Sequence, residues 1–140
     1  MIFDDKIRVL MVDDMPPICL LVKKILIRMG LSKIDVSHNG GEAWKKIEQA
    51  HLEGRPYDIL LCDWNMPESG LDLLKKIRAS GVDGISNIPF IMITCEVWDD
   101  QVKLAFDEGA SNYIAKPFEY ETIEKKVKET LAKYHKVQET

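Results

Sequence analysis

Ile7-Arg8-Val9-Leu10-Met11-Val12-Asp13-Asp14-Met15-Pro16-Pro17 sets a pattern that the rest of the chain repeats. The opening run is apolar apart from one arginine, is rich in β-branched side chains, and stops at two carboxylates followed by a pair of prolines. A short apolar run bounded by turn residues reads as a buried strand. From Ile18 the apolar residues fall at Leu21, Val22, Ile25, Leu26 and Met29, with Lys23, Lys24 and Arg28 between them, which predicts a helix ended by Gly30 as its C-terminal cap. Prolines at the entrance of that helix remove only N–H groups that have no partner there.

The same order recurs along the sequence. Ile34-Asp35-Val36-Ser37 reads as a strand, Asn39-Gly40-Gly41 as a turn, and a helix carrying Ala43, Trp44 and Ile47 closes at Glu53-Gly54-Arg55-Pro56. Ile59-Leu60-Leu61-Cys62 is the third strand, and after Pro67-Glu68-Ser69-Gly70 a helix places Leu71, Leu74 and Ile77 inward. Pro89 introduces Phe90-Ile91-Met92-Ile93, a helix with Val102, Ala105 and Phe106 runs to Gly109, and Tyr113-Ile114-Ala115 is the fifth strand. The last helix puts Ile123, Val127 and Leu131 on one face. Strand-then-helix units without hairpin signals require crossover connections, so the expected fold is α/β: a doubly wound parallel sheet of five strands with helices on both faces. With no long repeat, linker or low-complexity segment, residues 1–140 read as a single domain with no output domain behind it.

The composition agrees and narrows the partners. At 140 residues, 46% hydrophobic and 30% charged, the chain is of ordinary globular character and can bury roughly two-thirds of its unfolded surface. A formal net charge of -4 lacks the basic excess that phosphate-backbone binding needs, which argues against nucleic acid and against an anionic membrane surface. No apolar run is long enough to span a bilayer, and Met1-Ile2-Phe3-Asp4-Asp5-Lys6 lacks the order of a signal peptide. Cys19, Cys62 and Cys95 form neither a disulfide framework nor a CxxC pair, so a reduced, cytoplasmic setting is expected.

All strands of such a sheet point one way, so the residues that follow each strand gather along one edge, where ligands bind. Strand one delivers Asp13 and Asp14, strand three Asp63, strand four Thr94, and strand five Lys116 followed by Pro117. Singly, an aspartate there is a helix cap and a lysine a solvated side chain. Jointly they demand more: two carboxylates about 4 Å apart at an effective dielectric near 20 repel by roughly 4 kcal/mol, so three need a cation or a raised pKa. A hard divalent ion, Mg²⁺ before zinc, suits an all-oxygen set with an open side. A cation, a lysine and a hydroxyl around a carboxylate make a trap for a phosphoryl group, with an aspartyl phosphate as product. Spacing alone leaves the attacking residue open, with Asp63, alone at a central strand's end, ahead of Asp13 and Asp14, which are paired as metal ligands would be.

No G-x-G-x-x-G or G-x-x-x-x-G-K-[ST] follows any strand, which argues against a nucleotide-cradling turn. His38, His51 and His135 have no ligand or triad spacing and read as surface or satisfied core side chains. Glu121 with Lys125, Glu124 with Lys128 and Glu129 with Lys133 have the i,i+4 spacing of a solvated helix face.

These residues resemble the receiver domain of two-component response regulators, and the likeness runs over nearly the whole chain. Asp13-Asp14 is similar to the family's acidic pair, Asp63 to its phosphoacceptor, Thr94 to its switch hydroxyl, and Lys116-Pro117 to its lysine and cis-proline bond. Asp63-Trp64-Asn65-Met66-Pro67, Thr94-Cys95-Glu96 and Gly109-Ala110-Ser111-Asn112-Tyr113 bring the likeness nearest to the single-domain regulators of chemotaxis. The resemblance implies a flavodoxin-like strand order 2-1-3-4-5 with five helices. It implies that Asp14, Asp63 and the carbonyl of Asn65 bind Mg²⁺ directly, with Asp13 acting partly through water, while Lys116 and Thr94 hold the phosphoryl oxygens. Thr94 then moves toward the phosphoryl group and Tyr113 turns inward, a population shift between two packings.

The output surface implied is the fourth helix, fifth strand and fifth helix, with Val97, Trp98, Tyr113, Ala115 and Lys126. The implied function is a stand-alone phosphoacceptor, not an enzyme, that takes its phosphoryl group from a sensor histidine kinase and signals to the flagellar motor switch protein. The alternative is a phosphorelay intermediate that passes the group to a histidine phosphotransfer protein. An aspartyl-phosphate hydrolase comes last, because Asp63-Trp64-Asn65 offers no second carboxylate as general acid. Two features depart from the family pattern. Only two residues separate Pro67 from Gly70, where three are more usual, so a tighter loop is expected beside Asn65; and the Ala50–Pro56 segment is longer, on the edge opposite the site.

Overall fold

The computed structural model of the protein describes residues 6–95 and 98–134. Five strands and five helices alternate: β1 (Arg8–Val12), α1 (Pro16–Arg28), β2 (Lys33–Ser37), α2 (Gly40–Leu52), β3 (Ile59–Asp63), α3 (Gly70–Arg78), β4 (Phe90–Thr94), α4 (Asp99–Asp107), β5 (Asn112–Ala115) and α5 (Tyr120–Tyr134). The sheet is wholly parallel in the order β2-β1-β3-β4-β5, as the resemblance implied.

Successive strand residues point to opposite faces, so the all-apolar strands feed two cores. Val9, Met11, Ile59, Leu61, Ile91 and Ile93 face α1 and α5, where Ile123, Val127 and Leu131 of α5 are fully buried. Each of those three stabilises the fold by about 1.5–3 kcal/mol. Leu10, Val12, Leu60, Cys62, Phe90 and Met92 face α2, α3 and α4.

Local chemistry sets the helix ends. Pro16 and Pro17 occupy the first turn of α1, and Gly30 follows its last turn at φ 100°, a conformation that costs a glycine little. Asn39-Gly40-Gly41 is not a free turn: Asn39 caps α2, its side-chain oxygen accepting from Glu42 N at 2.7 Å, and the helix begins at Gly40. Ser69 caps α3 in the same way through Asp72 N.

Two apolar residues lie beside the buried stripe of their helix. Leu21 is 47% exposed because the buried stripe of α1 runs through Cys19, Val22, Ile25 and Leu26, and Leu21 lies roughly a quarter-turn to one side of it. In α3, Leu74 and Ile77 are buried as expected, Leu71 is partly buried and packs against the same core, and Leu73 is buried as well. In α4 only Ala105 is buried; Phe106, one residue round the helix, is 43% exposed and meets Tyr113 edge-on. Arg78 ties the far corner together: Nε and Nη2 donate to the Gly109 carbonyl, and Nη1 donates to Ser86 and Ile88 carbonyls at 3.0 and 2.7 Å.

Candidate functional site

The alternation that builds the two cores also aims the site residues. Asp13 follows Val9 and Met11, Asp63 follows Ile59 and Leu61, and Lys116 follows Ile114, so all three emerge from the carboxyl edge on the α1 and α5 side. Thr94 has the parity of Phe90 and Met92 and belongs to the α3 and α4 side. It is buried, ends β4, and lies in register with Ala115.

Asp13 is fully buried, its N–H extending the ladder to the Ser37 carbonyl at 3.1 Å. Its Oδ1 accepts from Met15 N at 2.9 Å, while Oδ2 is buried with no hydrogen-bond donor. Asp63 is 2% exposed, and its Oδ1 accepts from Asn65 N at 3.2 Å. The Lys116 ammonium stands between the two, 3.2 Å from Asp63 Oδ1 and 3.7 Å from Asp13 Oδ2. Asp14 is exposed and completes the cluster: one carboxylate oxygen from each of Asp13, Asp14 and Asp63 lies within 4.8 Å of the others.

Burial holds the Asp13 carboxyl above its ordinary 3.8; the Met15 N–H opposes this, the Asp63 charge adds to it, Lys116 opposes it, and Asp14 adds a little more. Three carboxylates face one ammonium, so the cluster is short of positive charge. The three carboxylates, one of them with a buried oxygen that accepts no hydrogen bond, form a hard oxygen set open on the Asp14 side, which fits a divalent cation.

The loop after β3 is closed by main-chain hydrogen bonds. Trp64 N donates to Ile93 O at 2.8 Å, and the Trp64 carbonyl accepts from both Met66 N and Gly70 N. Gly70 is there because nothing larger fits: a Cβ at that position would lie 2.4 Å from the carbonyl oxygen of Asp63. The Lys116–Pro117 peptide is cis.

Two residues escaped sequence reasoning. Cys19 Sγ donates to the Asp13 carbonyl at 3.3 Å, with its thiol pushed up to about 11 by burial and next by the Asp13 charge. His38, an exposed residue as expected, nevertheless places Nδ1 3.1 Å from the same carbonyl, a contact that the Nδ1–H tautomer makes as donor. Only the strand-end rule could have pointed to His38, which stands just beyond β2.

On the other flank, the Tyr113 and Phe106 rings meet at 6.1 Å and 89°, and Lys126 Nζ lies 4.6 Å from the Tyr113 centroid. Trp98, at the entrance of α4, is 73% exposed, and Ala115 is partly buried. Val97 and His135 lie outside the described residues. Of the i,i+4 pairs, Glu124 and Lys128 approach to 3.8 Å, while the Glu129 carboxylate accepts from the Asn112 amide.

A sequence model of the response regulator receiver domain matches residues 9–128. The chemotaxis protein CheY1 of Helicobacter pylori strain J99 is 38% identical over 125 residues, which cover 89% of this chain and 96% of that protein. A chemotaxis protein CheY homolog of Campylobacter jejuni is 34% identical over 125 residues, 89% of this chain and 92% of its own. Among solved structures, the chemotaxis protein CheY4 of Vibrio cholerae superposes with a TM-score of 0.79 at 28% identity, covering 89% of this chain and 98% of that one. A CheY-like receiver domain protein from Methanospirillum hungatei gives a TM-score of 0.78 at 27% identity, with coverage of 93% and 97%. With the family model matching residues 9–128 and relatives 34–38% identical over most of its length, the chain belongs to the response regulator receiver domain family.

Proposed function

We propose that the protein accepts a phosphoryl group on Asp63 from a phosphohistidine of a sensor histidine kinase, in a Mg²⁺-dependent reaction, and that the phosphorylated form signals to the flagellar motor switch. The observation that carries this reading is the Lys116 ammonium seated between the Asp63 and Asp13 carboxylates at the carboxyl edge of the sheet. In the transfer, an Asp63 oxygen forms a bond to phosphorus as the phosphorus–nitrogen bond breaks. The electron pair returns to the donor imidazole, and Lys116 holds a phosphoryl oxygen. Asp14, Asp63 and the Asn65 carbonyl would hold Mg²⁺, with Asp13 reaching it partly through water. When bound, the cation offsets the carboxylate charge and draws electron density from the phosphoryl oxygens.

Asp63 is recessed, so a donor must dock against the rim, and the exposed apolar side chains of Met15, Leu20 and Leu21 at the start of α1 offer it a surface. The acceptor role is stoichiometric rather than enzymatic. The kinase and the motor switch are cytoplasmic partners in this reading, which agrees with the finding that no described helix is long and apolar enough to cross a membrane. Output through Trp98, Phe106, Tyr113, Ala115 and Lys126 is supported by the exposed aromatic side chains there.

The test uses acetyl phosphate with Mg²⁺, then a motor-switch peptide with and without beryllofluoride. Native protein is expected to take one phosphoryl group and Asp63→Asn none; equal labelling of both would refute the acceptor assignment. Peptide binding strengthened only in the activated native protein supports the motor output. Labelling without peptide binding would replace that output with a phosphorelay.

A further inference from the structure

The loops after β3 and β4 meet over the acceptor carboxylate. Asn65 donates through its main-chain N–H to Asp63 Oδ1 at 3.2 Å and through its side-chain amide to Cys95 Sγ at 3.3 Å. One residue thus touches the carboxylate and reaches across to the neighbouring loop. Asn65 and Cys95 are both exposed whereas Asp63 is buried, so the bridge lies on the solvent side of Asp63. Cys19 and Cys62 are buried, which leaves Cys95 as the exposed thiol.

We propose that Cys95 is a positioning residue for the acceptor chemistry: its sulfur holds the Asn65 amide across the mouth of the Asp63 pocket, and the amide so held limits the approach of water to the aspartyl phosphate. The proposal rests on the reading of Asp63 as acceptor. In hydrolysis the water oxygen bonds to phosphorus as the bond from phosphorus to the Asp63 oxygen breaks. The carboxylate departs with the electron pair, the water proton passes to solvent, and inorganic phosphate is released. Cys95 takes no part in these bonds; it acts through Asn65. Sulfur is a weak acceptor, so a serine hydroxyl would hold the amide at least as well and an alanine not at all.

The experiment labels each protein with acetyl phosphate and Mg²⁺, removes the donor, and times the loss of phosphoryl from native, Cys95→Ala, Cys95→Ser, Asn65→Ala and the double alanine variant. Cys95→Ala is expected to lose the group about two- to tenfold faster, the range that corresponds to one hydrogen bond of ordinary net strength. Cys95→Ser should decay like native, and the double variant no faster than Asn65→Ala, the signature of one residue acting through the other. Unchanged or slower decay in Cys95→Ala overturns the proposal and leaves Asp63 as acceptor. So does a double variant whose rate multiplies the two single effects. Absence of label on native protein overturns the acceptor reading and this proposal with it.

Discussion

Replacing Gly70 by alanine perturbs the acceptor without touching a charged group. The new Cβ would lie 2.4 Å from the Asp63 carbonyl oxygen, 3.1 Å from its carbonyl carbon and 3.1 Å from Met92 Sδ, where ordinary contact starts at 3.4 Å. Gly70 is not among the glycines with positive φ, so the cost is steric rather than conformational. The sulfur can move, but the carbonyl belongs to the last residue of β3, and relieving the clash means parting α3 from the strand by about 1 Å, a distortion that costs roughly 1–3 kcal/mol. Better helix propensity returns less than about 1 kcal/mol. The shift also pulls Asp63 away from Lys116 and from Asn65 N, both now at 3.2 Å. Urea unfolding should therefore show a net loss, and acetyl-phosphate labelling should slow. Gly41→Ala is the control: its Cβ would meet nothing closer than 3.5 Å, and it should be neutral or slightly stabilising. A Gly70→Ala variant with native stability and native labelling would refute the argument that close approach dictates glycine here.

Asp13→Asn should be more stable than native at neutral pH when no divalent cation is present. A carboxyl raised in the folded state is penalised once ionised, so the penalty is absent below the ordinary 3.8, grows as pH rises from there, and is complete above the folded value. The gain in unfolding midpoint should fade as pH falls toward 3.8, while Mg²⁺ affinity, read by fluorescence of the adjacent Trp64, drops; a variant less stable than native at neutral pH refutes it. Arg78→Ala strips the donors from the carbonyls of Ser86, Ile88 and Gly109 and should cost roughly 2–4 kcal/mol in urea unfolding. A loss under about 0.5 kcal/mol, the scale of a featureless surface change, would refute that role.

The parallel sheet and the acidic edge were legible because both arise from features that a linear pattern carries, whereas the strand order came from the family resemblance and not from the pattern. Apolar runs ending in Asp13, Asp63 and Thr94 mark strand and terminus together, and parallel pairing then brings the termini into one row. Side chains one residue off a helix stripe were harder, since Leu21 and Phe106 obey the period loosely and only the neighbouring elements decide which side of the stripe is covered. Least legible were contacts between distant loops. Nothing in the spacing of Asn65 and Cys95, or of Arg78 and Gly109, announces that they touch, because those contacts depend on loop paths. His38 and Cys19 converge on the Asp13 carbonyl for the same reason.

The parity of the strand ends has a mechanical corollary. Asp63 and Lys116 hang over one layer of helices and Thr94 over the other, so the rim of the sheet acts as a fulcrum between two compartments that, among the described residues, share no buried side chains. A group bonded to Asp63 that also engages Thr94 would straddle this fulcrum. Its load would then be felt by α4 and by the β5 register that pairs Thr94 with Ala115, in a compartment to which Asp63 itself does not belong.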